Sequence, residues 1–179
     1  MSLPCSIEQL AQLTRQAGSA TLAFWRKNPD VEHKADNSPV TAADMAAHDT
    51  LLAGLQKLTP DIPIISEEAA ENPLQQRSEW TRFWLLDPLD GTREFIDGSD
   101  EYTVNLALIE NNQVRFGLVG VPARDTLYWG GHGLGAWRQQ ARQPATPLHT
   151  RPPANPVSVV ASRRHSSPDV ESLRPGPTD

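Results

Sequence analysis

An α+β fold, with two long helices packed on one face of a mostly antiparallel sheet, is what this sequence predicts, and three observations support it. The first third holds two capped segments whose apolar residues recur at helical spacing. The middle third changes to short apolar runs separated by turn residues, in hairpin order. Between the two patterns lies an acid-rich turn, Asp87-Pro88-Leu89-Asp90-Gly91-Thr92, directly after the apolar run Phe83-Trp84-Leu85-Leu86. A chain of 179 residues that is 38% hydrophobic has enough apolar mass for one core.

Taken in order, Ser6 caps the first helix with Gln9 three residues on, and Ile7, Leu10, Leu13, Ala17 and Phe24 mark its apolar stripe to about Lys27. Asn28-Pro29-Asp30 stops it. The second helix runs from about Thr41 to Leu58, with Thr41 as N-cap and Asp44 in the capping-box position. Met45, Leu51, Leu52, Leu55 and Leu58 supply its apolar face, and Thr59-Pro60-Asp61 ends it. Ile62 to Ser66 is a short apolar run ending in Glu67 and Glu68. Tyr102–Glu110 and Val114–Val121 read as a hairpin across Asn111-Asn112-Gln113. Thr126–Trp129 and Leu134–Trp137 flank Gly130-Gly131-His132-Gly133, a glycine run between strands, and therefore a hairpin turn instead of a phosphate loop.

Organisation follows from composition. Residues 1–143 form an N-terminal α+β domain. Residues 144–156, rich in proline, read as an extended connector, and 157–179 begin another α/β unit with a strand at Val157–Ala161 and a helix start at Ser167-Pro168-Asp169.

The chemistry concentrates at strand ends. Pro88 presets φ and Gly91 can adopt positive φ, so Asp87 and Asp90 can converge across the bend as hard oxygen ligands suited to Mg²⁺ or Mn²⁺. The same residues also make an ordinary Asx turn. Glu67 and Glu68 bring further carboxylate to a second strand end. Asp44 serves equally as a helix cap. The histidines His33, His48, His132 and His149 show no ligand spacing and read as surface or packing residues.

A net charge of −6 argues against a duplex nucleic-acid binder, which needs a basic stripe, whereas small phosphorylated ligands stay open because bound cations invert the field of an acidic site. The lone Cys5 excludes an intramolecular disulfide and a cysteine-based zinc site. Nothing resembles a leader peptide or a bilayer-spanning run, so the expected place is the cytoplasm.

The order Pro39-Val40-Thr41-Ala42-Ala43-Asp44, then Ser66-Glu67-Glu68, then Trp84-Leu85-Leu86-Asp87-Pro88-Leu89-Asp90-Gly91-Thr92-Arg93-Glu94-Phe95 resembles the inositol monophosphatase superfamily of Mg²⁺-dependent, lithium-sensitive phosphatases. With Lys34-Ala35-Asp36-Asn37-Ser38 and Ile96 added, the wording looks most like its bacterial 3'(2'),5'-bisphosphate nucleotidase branch, the CysQ type of sulfate assimilation. The resemblance implies the N-terminal part of a layered α/β/α/β fold. It also implies hydrolysis of adenosine 3',5'-bisphosphate to AMP and phosphate, with inositol phosphates or sugar bisphosphates as the competing substrates within the superfamily. A non-catalytic Mg²⁺-binding unit is the alternative from another class.

By the same resemblance two or three Mg²⁺ ions serve the complete enzyme. Glu67, Asp87 and the Leu89 carbonyl would hold the first ion and Asp87 with Asp90 the second. Thr92 would orient the attacking water and Asp44 would hold the Thr92 hydroxyl. Backbone around Gly91 and Thr92, with Leu89, Asp90 and Glu67, would meet the substrate phosphate. Glu68 would touch neither ion. Ser162-Arg163-Arg164-His165 falls where relatives have a substrate-proximal segment, and it reads equally as a solvated basic cluster; Lys34 and Asp36 read likewise as a site-flanking loop or a polar turn. Peripheral association with the inner membrane is a further implication, and the oligomeric state is left open. Relatives carry a Trp-Asp motif for a last aspartate ligand, and none of Trp25, Trp80, Trp84, Trp129 and Trp137 precedes an Asp. The chain is therefore expected to be the N-terminal part of such an enzyme, its second α/β domain missing and its activity alone an open question.

Overall fold

The computed structural model describes residues 3–27, 31–33, 39–69 and 79–155. The expectations placed on Lys34–Ser38, on the strand and helix start after residue 156 and on Ser162–His165 lie outside those residues.

Helix α1, Ile7–Leu22, opens on Ser6, whose hydroxyl accepts from the Gln9 backbone while the Gln9 side chain accepts from Ser6 N, a reciprocal capping box. It ends at Leu22 and not near Lys27. Tertiary contacts decide this: Trp25 Nε1 donates to Ser99 O at 3.1 Å, and Arg26, at φ 60°, donates from Nε to Gly98 O at 3.1 Å. These residues bind a distant loop in place of another helical turn.

Short strands β1, Val31–His33, and β2, Pro39–Thr41, pair as an antiparallel ribbon that leads into α2, Ala42–Leu58. The buried stripe of α2 is Ala43, Ala47, Leu51 and Leu55, four residues apart each time, so they stack on one face. Met45 was expected on that face but is 42% exposed, because two residues beyond Ala43 turn it to the far side of the helix.

Among the described residues seven strands make the sheet, in the order β3 (Ile64–Ser66), β4 (Arg82–Asp90), β5 (Thr103–Glu110), β6 (Gln113–Val121), β7 (Thr126–Gly131), β8 (Gly135–Gln140) and β9 (Thr146–Leu148). All neighbours are antiparallel except β3 and β4, which run parallel with Ser66 opposite Leu86. Asn111 and Asn112 take φ of 51° and 59° in the two-residue turn between β5 and β6, the backbone that matches the strands' twist. A five-residue helix α3, Thr92–Ile96, follows β4. The sheet takes in Thr146–Leu148, which composition reads as connector: β9 pairs its backbone with β8 although its side chains are exposed. Contacts within the chain divide it after Leu148, and beyond that point residues 149–155 are exposed and form no helix or strand.

Both long helices lie on one sheet face. Leu10, Leu13 and Ala17 of α1, Leu51 and Leu55 of α2, and Trp84, Leu86, Leu106, Leu108, Phe116 and Leu118 of the sheet form one buried core. Period-two alternation sends Leu85 and Val119 to the other face, where they are 43% and 38% exposed. Gly54 sits where the helices meet, and a Cβ there would fall 2.2 Å from Leu13 Cδ1. An exposed helical Gly→Ala change gains about 1 kcal/mol of propensity, but overpacking a filled core costs about 1–3 kcal/mol. Gly54→Ala is thus expected to lower the thermal unfolding midpoint; a raised midpoint would show that Leu13 yields.

Candidate metal centre

The site grows from the C-terminal end of β4. Asp87 pairs with Asn105 and Asp90 with Thr103, so β4 uses one more residue than β5 over that stretch. That is a bulge, and Pro88 occupies it, where a missing N–H breaks no ladder bond. Leu89 is turned inward against Ala43, Phe95 and Tyr102, a second small core beneath the turn. Phe95 and Tyr102 meet edge to face at 5.0 Å, and the Tyr102 hydroxyl lies 3.3 Å from Thr21 Oγ1. Gly91 adopts φ 92°, and a Cβ there would press on Glu101 O at 3.0 Å, which explains glycine at the entrance to α3. None of Leu89, Phe95, Tyr102 and Trp25 stands out in the sequence as one cluster, because they belong to four separate segments.

Asp87 points to the sheet face away from the helices, in the row of Asn105 and Val119. Its Oδ1 is buried and has no hydrogen-bond partner. Burial, then the neighbouring charges of Glu67 and Asp90, then a hydrogen bond with Glu67 raise its pKa to about 7. Glu67 follows β3 with its N–H donating to Leu86 O at 3.1 Å, which extends the parallel pairing by one residue. A groove of about 590 Å³ runs along this face past Ser66, Glu67, Asp87 and Asn105.

Across the turn, Asp44 is fully buried. Its Oδ2 accepts from Thr41 N at 2.7 Å and Thr41 Oγ1 at 2.6 Å, and Thr92 Oγ1 lies 3.3 Å from both Asp44 Oδ1 and Leu89 O. Burial raises its pKa above the ordinary carboxylate value, while the bonds from Thr41 and Thr92 pull it back. Asp44 is thus at once a helix cap and the partner of Thr92.

The structure therefore brings together Glu67 with Asp87, and Asp44 with Thr92. It does not gather Glu67, Asp87 and Asp90 into one ion-holding group: among the described residues no three His, Cys, Asp or Glu side chains close on a common point. Asp90 is exposed and accepts from Asn105 Nδ2 at 3.3 Å. Glu68 is half-buried beside Glu67. His48, read from sequence as surface or packing, is buried and lies 2.8 Å from Ser66 Oγ.

The Asp87 shift carries a sign. Its folded pKa of about 7 stands above the ordinary 3.8, so the folded state holds a proton that the unfolded chain has lost. Its contribution to stability is fully present below 3.8 and disappears as pH rises through about 7. Metal-free protein is expected to unfold at lower temperature at pH 8 than at pH 5.5, with millimolar Mg²⁺ narrowing the gap; a midpoint that climbs over that interval without Mg²⁺ would contradict the assignment.

Carboxylates at two neighbouring strand ends, and the part-buried pair that buried Asp44 makes with Thr92, give this α+β scaffold hard oxygen donors of the kind divalent cations favour. The chain belongs to the inositol monophosphatase family, whose sequence profile matches residues 5–174. Members of that family are generally Mg²⁺-dependent. The chain is 43% identical over 169 residues to a 3'(2'),5'-bisphosphate nucleotidase CysQ of Escherichia coli, covering 92% of this chain and 66% of that protein. Among solved structures it is similar to CysQ from Bacteroides thetaiotaomicron, with a TM-score of 0.69 at 30% identity over 92% of this chain and 66% of that one. It is similar also to an IMPase from Thermotoga maritima, with a TM-score of 0.66 at 28% identity over 74% and 50%. The chain thus spans about 66% of the length of the Escherichia coli relative. Among the described residues no helix is long and apolar enough to cross a membrane.

Proposed function

We propose that this chain supplies the metal and water side of a 3'(2'),5'-bisphosphate nucleotidase acting on adenosine 3',5'-bisphosphate. One observation carries the proposal: a buried Asp87 oxygen without a partner, beside Glu67 and within the field of Asp90. A divalent cation relieves both the repulsion and the orphaned oxygen, and the all-oxygen donor set suits Mg²⁺. Glu67, Asp87 and the Leu89 carbonyl would hold one ion, and Asp87 with Asp90 another. When bound, the ions neutralise phosphate charge and favour in-line displacement.

The protein's own residues do the rest. Thr92 Oγ1 donates to Asp44 Oδ1 or to the Leu89 carbonyl, each 3.3 Å away, and either bond leaves its lone pairs to accept a hydrogen from the attacking water. Asp44, fixed by two bonds from Thr41, keeps its acceptor in a constant place. Backbone at Gly91 and Thr92, with Asp90 at the rim, meets the phosphate. The water oxygen bonds to phosphorus as the bond to the 3'-oxygen breaks, one water proton staying with the phosphate and the other ending on the departing 3'-oxygen, giving AMP and phosphate. The 43% identity to a protein of that name supports the substrate class.

The test is Mg²⁺-dependent phosphate release from adenosine 3',5'-bisphosphate and inositol 1-phosphate, side by side. It uses the chain alone and the chain joined to the remaining third of the Escherichia coli relative. Preference for the bisphosphate is expected. Preference for inositol 1-phosphate would move the assignment within the family, and no release from any arm would leave a cation-binding unit that turns nothing over.

A further inference from the structure

We propose that His48 is a positioning residue for the Glu67 carboxylate, acting through Ser66. The inference rests on the metal-site reading above and adds to it a residue outside the carboxylate set. His48 is 7% exposed, and its Nδ1 lies 2.8 Å from the Oγ of Ser66, itself 7% exposed. Ser66 is the last residue of β3 and stands opposite Leu86, whose side chain is in the core under the helices. Alternation along the strand therefore turns Ser66 toward α2 and Glu67 toward the opposite face, where Asp87 lies.

β3 needs such a restraint. It is three residues long and, among the described residues, forms an edge of the sheet with ladder bonds to β4 alone. A short edge strand held on one side can roll about its axis, and rolling would swing Glu67 relative to Asp87. The His48–Ser66 bond pins the side chain immediately before Glu67 from below, while Glu67 N–H to Leu86 O, at 3.1 Å, pins the backbone from the side.

The element that supplies the pin also matters. His48 follows Asp44 by four residues, one turn along the same face of α2, and both are buried. Asp44 reaches Thr92 and His48 reaches Ser66. One rigid helix thus sets the place of the water-orienting hydroxyl and of the strand that delivers a metal carboxylate.

A hydrogen bond serving stability alone would behave differently, and a control exists in the same helix–sheet layer. Trp84 Nε1 donates to Thr59 Oγ1 at 2.9 Å, joining the C-cap of α2 to β4 away from the carboxylates. The experiment measures Mn²⁺ binding by electron paramagnetic resonance, with thermal unfolding alongside, on the full chain and its variants. His48→Ala and Ser66→Ala are each expected to weaken Mn²⁺ binding about 3- to 10-fold, at or below the lower end of what outer-shell partners contribute. The double variant should be no weaker than the worse single one, since both changes remove one link. His48→Asn, whose amide reaches the Nδ1 position, should stay within about twofold of the parent. Thr59→Val should lower the unfolding midpoint and leave Mn²⁺ affinity alone.

His48→Ala lowering the midpoint with unchanged Mn²⁺ affinity, while Asp87→Asn abolishes binding, would overturn the proposal and leave the metal site standing. Additive losses in the double variant would overturn it too. Asp87→Asn with undiminished binding would instead remove the metal-site reading on which the proposal stands.

Discussion

Asp87→Asn is expected to weaken Mg²⁺ binding by more than about 100-fold, beyond what outer-shell partners contribute, and, at pH 8, to raise the unfolding temperature of the metal-free protein. The two effects have one cause. Asp87 is a half-buried carboxylate whose Oδ1 has no partner and whose neighbours Glu67 and Asp90 carry its own sign. Its pKa of about 7 means that at pH 8 the folded state holds an ion it would rather neutralise. The amide removes that charge, so the fold gains; the cation loses an anionic ligand shared between two ions, so binding suffers. At pH 5.5 the gain should shrink, because Asp87 is then protonated in the folded state. Calorimetric Mg²⁺ titration and thermal unfolding at the two pH values check this. Glu68→Gln is the contrast, expected to change Mg²⁺ affinity little. Equal losses from the two substitutions would mean that the cluster binds cations diffusely.

The second large effect concerns the water. Thr92→Ala, made in whichever preparation releases phosphate, should lower kcat about 100-fold while Mg²⁺ affinity stays within about twofold. Thr92 Oγ1 lies 3.3 Å from Asp44 Oδ1 and from Leu89 O, so its proton goes to one of two placed acceptors and its lone pairs are left to take a hydrogen from water. Removing the hydroxyl leaves the carboxylates in place but the nucleophile without direction, and misalignment of an attacking oxygen is expensive in rate. Thr92→Ser keeps the hydroxyl and should retain most of the activity. Loss of Mg²⁺ binding in Thr92→Ala at the same level as in Asp87→Asn would place Thr92 among the ligands.

Local signals in the chain were sufficient for a good part of this. Ser6 with Gln9 and Thr41 with Asp44 are capping boxes that sequence spacing announces, and both form. The glycine at 91 takes the positive φ that its position after Asp90 suggests. Asn111-Asn112 makes the turn that sets Asn105 opposite Val119 in the β5–β6 register. Such features depend on residues a few positions apart, so the chain states them directly.

Other features depend on residues far apart in the chain, and no periodicity records them. Phe24, Trp25 and Arg26 continue a helical pattern, yet they leave α1 because Ser99 and Gly98 offer carbonyls from a loop some seventy residues away. Met45 looks like core until packing chooses the Ala43–Leu55 stripe. Asp90 reads as an equal partner of Asp87, but Asn105 takes its carboxylate aside.

The helix starts, the hairpins and the acids at two strand ends are legible in the chain, because capping, turn chemistry and alternation act over a few residues. That Glu67 meets Asp87, that Asp44 reaches Thr92 and that His48 meets Ser66 comes from packing. Those are contacts between elements, set by strand register and by which face of α2 the core selects, and free energy of that kind belongs to the packed whole.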